Sequence, residues 1–371
     1  MKSNYKRLGD YIHKVDERNK AYNTNLQGLS MTKEYRPTTS NIVGTDLSAY
    51  KVMRKNRFVC DFMSVIRVYK LPVVLHKSED IAIVSPAYTT FEINDISVLL
   101  PDYLMLWFRR SEFDRYAFFK CDSAIRGGFD WDALCDCLLL IPPLPEQQKI
   151  VDAYNTIEHR IELKHKINEN LEKQASSIYR NLCSLDSTFF NGTVEDLAEK
   201  IVCGKTPSTK DNENFDGEIP FITIPDMHDN VFALKTERTL TDKGATCTIP
   251  PNSVCVSCIA SAGLVCLTEK TSQTNQQINS IVCKKDISPY YVYLKMKQLA
   301  EYIKQIGSCG STTCNLSKSG FSRIEIQIPS HTTQLELDKH LSPLFRQIKC
   351  NQKELINLTN MKSLLLCRLS A

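Results

Sequence analysis

The chain has 371 residues, enough for two domains that each hold a core of their own. Apolar residues make up 42% and charged residues 24%, which excludes a disordered or fibrous chain. No run approaches the ~18 consecutive apolar residues of a membrane helix, and the opening MKSNYKRLGDYIHKVDERNK lacks the apolar stretch of an export signal. Without export, the fifteen cysteines are expected to be reduced core residues of a cytoplasmic protein. Net charge is +4, yet residues 1–57 carry twelve Lys and Arg against five Asp and Glu. That excess suits a surface facing a polyanion, and on charge alone equally a solvated face with no partner.

In chain order, RLGDYIHKVDERN enters the first half as a strand or short helix. Polar loops rich in Thr, Ser, Asn, Lys and Arg then alternate with short β-type runs at Ile42-Val43 and Phe58-Val59-Cys60. Further strands are predicted within 80–84 and 87–93. A helix is predicted over 102–116, with Leu104, Leu106, Trp107 and Phe108 inward. CDSAIRGGFDWDALCDCLLLIPPL reads as a glycine turn feeding a helix and a buried strand.

Pro142, Pro143 and Pro145 stop that strand, and neither proline nor glycine follows until Gly192. Inside this window Ile150, Tyr154, Ile157, Ile161, Lys164, Asn168, Leu171, Ala175, Ile178 and Leu182 alternate steps of four and three. The spacing predicts one face of a long helix, at the a and d positions of a coiled coil. At ~1.5 Å per residue it would be roughly 55 Å long, too long to be half-buried by one ordinary domain. The seam turns polar in the middle, and a polar layer costs stability while setting register or partner.

The second half repeats the plan. Residues 193–227 read as strand, polar loop and strand, and 248–261 alternate like a half-buried strand. A helix around 290–306 lies between the polar runs 271–280 and 307–322. A shift of 187 residues then sets IPPLPEQQKI against IPSHTTQLEL. The second seam runs Leu337, Leu341, Leu344, Ile348, Asn351, Leu355, Leu358, Lys362, Leu365 and Leu369, with Asn351 at the position of Lys164. Period, preceding Ile-Pro and polar midpoint all recur, so the halves form an internal repeat. The expected class is mixed α/β (α+β): globular domains at 1–143 and 185–329, and long helices at 144–184 and 330–371.

Catalytic motifs are weak. Gly204-Lys205-Thr206 ends like a phosphate-binding loop, but the glycine required five residues earlier is Glu199. Cys255 and Cys258 have metal-ligand spacing on a strand that points them to opposite faces, so core packing is expected and no metal site. Asp152, Glu162 and Lys164 loosely match a nuclease cluster, but rise along the helix alone separates Asp152 from the others by about 15 Å. Pro142-Pro143 and Pro250-Pro251 lack the neighbours of an amino-methyltransferase tetrapeptide, and there is no Gly-x-Ser-x-Gly elbow.

Binding chemistry is better represented. Asn and Gln amides suit adenine edges, Arg and Lys suit guanine and phosphate, and Thr methyls suit thymine. Lys33, Arg36, Thr38, Thr39 and Asn41, with Lys51, Arg54 and Arg126, are the DNA-contact candidates of the first half. Those of the second half are Lys205, Thr206, Ser208, Thr209 and Lys210, then Asn275, Gln276 and Gln277, then Ser311, Thr312 and Thr313. Each loop alone reads more readily as an ordinary solvated turn, and recurrence in both halves shifts the balance towards binding.

With IPPLPEQQKIV and the duplicated plan, the chain resembles the specificity subunit of type I restriction–modification enzymes over essentially its whole length. RLGDYI, Arg18-Asn19, Tyr50-Lys51-Val52 and Arg126-Gly127-Gly128-Phe129-Asp130-Trp131 look like one common kind of target recognition domain. Gly204-Lys205-Thr206-Pro207-Ser208, Ile219-Pro220-Phe221, Thr274 to Gln277 and Gly310-Ser311-Thr312 look like another. At the second long helix Ser330-His331-Thr332-Thr333-Gln334 replaces the Pro-Leu-Pro-Glu-Gln pattern.

The resemblance implies two target recognition domains reading one half each of a split, asymmetric DNA site. The two long helices would pair antiparallel under pseudo-twofold symmetry, with Lys164, Asn168 and Asn351 as the register layer, and set the spacing between half-sites. Two methyltransferase subunits would bring S-adenosylmethionine and methylate adenine, and a motor–nuclease subunit using ATP and Mg can join. This chain itself would hold no cofactor and no catalytic residue, in a bacterial or archaeal cytoplasm. A coiled-coil scaffold with two protein-binding domains is the alternative from another class, and a self-sufficient nuclease or methyltransferase lacks its motifs.

Overall fold

Seam residues spaced for helix and free of Gly build two long helices, Leu144–Leu185 and His331–Arg368. The computed structural model describes residues 5–21, 23–38, 44–121, 128–308 and 315–369. By contacts the chain forms two units. Unit 1 comprises residues 1–160 and 358–371, and unit 2 comprises 161–357.

In unit 1 short strands make a four-stranded antiparallel sheet, in the order Ile12–Lys14, Thr89–Ile93, Phe58–Cys60, Val73–Leu75. The hairpin Gln27–Leu29 with Tyr35–Pro37 and the pair Lys51–Met53 with Ala82–Val84 complete its β structure beside the pair Tyr5–Arg7 with Leu138–Leu140. The helix predicted over 102–116 is two, Pro101–Phe108 and Ser111–Lys120, broken at Arg109-Arg110. Arg110 closes that break by donating to Trp107 O at 3.0 Å. Leu138, expected buried, is exposed, because only Leu139 of this three-residue strand points into the core. The core packs Phe58, Phe91, Phe108, Phe113 and Phe129 together with Val151 and Tyr154 of the first long helix and Leu369. The run Ile42-Val43 lies outside the described residues.

Unit 2 has a five-stranded sheet with Val254–Ser257 in the middle and a four-stranded sheet around Phe215–Ile222. The helix predicted around 290–306 also divides, into Pro289–Gln298 and Ala300–Gly307. Leu171, Ala175, Ile178 and Leu182 pack in one cluster with Leu337, Leu341, Leu344, Phe345 and Ile348. Lys164 meets Asn351 and, further along, Asp186 meets Ser330, so within unit 2 the helices are antiparallel. Unit 1 repeats this order, with Tyr154 beside Lys362 and Ile150 in the cluster of Leu365 and Leu369.

The repeat extends beyond the helices. Tyr103 OH donates to Leu140 O at 3.0 Å, and Tyr291 OH donates to Gln327 O at 3.1 Å. Each tyrosine lies three residues into a helix opened by proline, and each acceptor lies on the strand just before a long helix. Among the described residues no helix is long and apolar enough to cross a membrane.

Candidate nucleic-acid interface

Each long helix is attached to its unit through a buried glutamine. Gln147 is fully buried; its Oε1 accepts from Leu100 N–H at 2.9 Å, and its Nε2 donates to Val98 O and Pro142 O, both at 2.8 Å. Gln334 stands 187 residues later, and its Oε1 accepts from Ser288 N–H at 3.3 Å. Leu100 and Ser288 both precede the proline that opens a helix. The Ser330–Gln334 stretch, which departs from the motif, therefore keeps the amide that the motif uses. Asp186 adds a tie in unit 2, where it accepts from Ser330 N–H at 2.7 Å, and this bond, then those from Thr188, hold its carboxyl well below the usual range.

In unit 2 the polar residues at mid-helix meet. Lys164 Nζ donates to Asn351 Oδ1 at 3.0 Å and pairs with Glu354 at 2.8 Å. Asn351 Nδ2 donates to Asn168 Oδ1 at 2.8 Å, and both asparagines are buried. A buried amide left without its partner costs about 1–3 kcal/mol, so this layer disfavours slipped pairings.

Two of the predicted loops of unit 2, some 70 residues apart in sequence, lie against each other. Lys205 N–H donates to Thr274 O at 2.9 Å, and Gln273 Nε2 donates back to Lys205 O at 2.7 Å. Thr206 Oγ1 donates to Gln276 Oε1 at 2.5 Å. The loop approaches so closely because residue 204 is glycine: a Cβ there would stand 2.2 Å from Asn275 O. Asn275 is buried and shapes the turn, accepting from Gln277 N–H at 3.0 Å and donating to Gln277 Oε1 at 3.1 Å. Lys205, Ser208, Thr209, Lys210 and Gln276 are left exposed on the surface, while Thr206 and Gln277 are half-buried. Ser311, Thr312 and Thr313 lie outside the described residues.

Unit 1 places its candidates differently. Lys33 is buried with φ 63°; its ammonium donates to Phe108 O and pairs with Asp114 at 2.8 Å. Burial pushes its pKa down, opposed by Asp114. Lys33 therefore pins the tip of the hairpin and presents no charge to solvent. Arg36 is exposed on that hairpin and donates to Leu29 O at 2.9 Å, with half-buried Thr38 two residues on. Lys51 donates to Tyr88 O at 2.7 Å and lies 3.5 Å from Asp16. Arg54 grips Glu17 through Nε and Nη2, and buried Arg57 ties the same carboxylate to Glu92 and Val52 O. Hydrogen bonds from Arg54, then Arg57, hold the Glu17 carboxyl below its usual range against the opposing effect of burial. Thr39, Asn41 and Arg126 lie outside the described residues.

Sequence reading missed Arg57, Gln334, Tyr103 and Tyr291, whose roles depend on contacts distant in sequence. Their one available signal was offset: an amide or tyrosine recurring 187 or 188 residues on. Among the described residues, no group of three or more His, Cys, Asp or Glu is placed to hold a metal. Cys255 packs against Ser280 Oγ at 3.6 Å inside the sheet.

The chain is a two-repeat α+β protein with paired long helices and polar loops, and its residues 187–360 match the model of the type I restriction modification DNA specificity domain. The chain is 31% identical to the type I restriction enzyme HindI specificity subunit of Haemophilus influenzae over an alignment of 371 residues, spanning 77% of this chain and 80% of that protein. A 157-residue stretch is 32% identical to the type I restriction enzyme MjaIX specificity subunit of Methanocaldococcus jannaschii, covering 40% of this chain and 36% of that one. The backbone matches a crystal structure of the type I restriction-modification S subunit from M. genitalium with a TM-score of 0.62 at 14% identity, over 98% of this chain and 95% of that one. The chain belongs to the family of type I restriction–modification specificity subunits.

Proposed function

We propose that this specificity subunit is non-catalytic and reads a split, asymmetric site in double-stranded DNA, one half through the loops of each unit. The observation that carries this reading is the folding of loop 205–210 against the turn 274–277, which leaves Lys205, Lys210 and Gln276 exposed on one polar surface. Lysine charges there suit phosphates, and the Gln276 amide suits an adenine edge. Arg36, Lys51 and Arg54 are assigned the matching work in unit 1. Residues 1–143 and 185–329 act as reading domains and the long helices as spacers, with Lys164, Asn168 and Asn351 setting register. Two methyltransferase subunits carrying S-adenosylmethionine methylate adenine N6 at the site, and a restriction subunit using ATP and Mg can join in the cytoplasm.

Footprinting of the chain with its methyltransferase partner, on random-sequence duplex followed by methylome sequencing, tests the reading. Protection and methylation of one bipartite sequence is expected, with affinity falling steeply as salt rises because phosphate contacts release counterions. Binding without salt dependence or without a bipartite site would leave a protein scaffold instead.

A further inference from the structure

Unit 1 carries exposed apolar side chains outside its core. Met63, Tyr69 and Phe119 are 78%, 62% and 82% exposed. Tyr69 packs edge-on against Phe118 with ring centroids 4.7 Å apart, joining segment 63–70 to the helix Ser111–Lys120. Tyr69 sits at φ 58°, in the left-handed region, just after the one-turn helix Val65–Val68. For a bulky residue this backbone costs on the order of 1–3 kcal/mol, and strain of this kind clusters where ligands are held.

Charge near the patch is mainly of one sign. Arg67 and Lys70 are exposed within the segment, and exposed Lys120 ends the helix that bears Phe118 and Phe119. Nearby acids are engaged inside the fold: Asp61 accepts from Met63 N–H and Ser64 Oγ, and Asp114 holds buried Lys33. Cations beside exposed rings suit a polyanion whose sugars and bases also offer apolar faces.

We propose that segment 63–70, with Phe119, is a further contact surface for duplex DNA: Arg67 and Lys70 hold phosphates, and Tyr69 and Phe119 pack against sugars or base edges. The proposal rests on the DNA reading given above. It is tested with the full chain bound to its methyltransferase subunits, titrated by fluorescence anisotropy against site-bearing duplex at several KCl concentrations. Arg67→Gln with Lys70→Gln should flatten the slope of log K against log salt by about 1.8, at about 0.9 per phosphate contact. Tyr69→Asn with Phe119→Ser should weaken binding about tenfold and keep the salt slope, because rings packed on sugars or base edges release no counterions. Asn tolerates the left-handed backbone, so the variant should stay folded, and its melting temperature is read alongside binding. Wild-type affinity and slope in both variants would overturn the proposal while leaving the DNA reading intact. Loss of methyltransferase subunits at unchanged slope would overturn it in favour of a protein dock. A wild-type complex that binds no duplex would instead remove the DNA reading itself.

Discussion

Lys164 and Asn351 occupy the same position in the two repeats, 187 residues apart, and the one donates to the other at 3.0 Å. Asn351 also donates to Asn168, so the layer is a connected network. Replacing Asn351 alone by Leu strands the Asn168 amide and should cost about 1–3 kcal/mol in urea denaturation. Replacing Lys164, Asn168 and Asn351 together by Leu should raise the melting temperature and broaden the set of half-site spacings accepted. A single unchanged spacing in the triple variant would remove the register role.

The two buried glutamines should differ in weight. Gln147 satisfies three backbone groups in unit 1, whereas Gln334 accepts a long bond and its Nε2 is buried with no partner among the described residues. Gln147→Leu should cost about 2–4 kcal/mol, and Gln334→Leu about 1 kcal/mol or less. Hydrogen exchange at the Leu100 amide, which loses its acceptor, is the local readout. Equal costs would contradict the difference in bonding.

Gln276 and Arg36 are exposed, in unit 2 and unit 1 respectively. Gln276→Ala and Arg36→Ala should leave thermal stability within about 0.5 kcal/mol. Each should weaken binding at one half-site by about 1–3 kcal/mol per lost bidentate base contact and leave the other half-site untouched. Footprints at both half-sites read this directly, and uniform weakening would contradict separate reading by the two units.

Gly204→Ala should displace the loop 205–210, because the new Cβ would overlap the Asn275 carbonyl, which is backbone. A loss of about 2 kcal/mol or more is expected, from overpacking at a site that cannot yield. Chemical shifts of Thr206 and Gln276 should move with it.

Acid should loosen the first unit through Glu17. Its folded pKa is depressed, so its contribution is complete above the ordinary carboxylate value and is lost as the pH falls through the lowered one. Denaturation midpoints should therefore fall below about pH 4, near the ordinary carboxylate range. Glu17→Gln should lower stability at neutral pH and flatten that acid limb.

The long helices were legible because a period of three and four leaves a mark that needs no partner to read. The polar midpoint was legible for the same reason. Lys33 was not: in the run Met31-Thr32-Lys33-Glu34 it looks solvated, and only contact with Asp114, 81 residues away, takes it inside. Nor could sequence place 205–210 beside 274–277, since each run alone is an ordinary polar turn. Long-range burial, not local preference, decides both. The two helix breaks, at Arg109-Arg110 and Leu299, were masked by apolar residues continuing past them.

Unit 1 is closed by residues from distant parts of the chain, with Arg110 donating to Leu369 O across 259 positions. A ribosome delivers the whole of unit 2 before it delivers that carbonyl. Val151 and Tyr154 therefore wait with part of their packing partner still unmade, while a contiguous neighbour can already condense. The time taken to make unit 2 and then residues 358–369 sets how long an apolar, aggregation-prone face is exposed to other chains, and a series of nascent chains stalled at increasing lengths would time it.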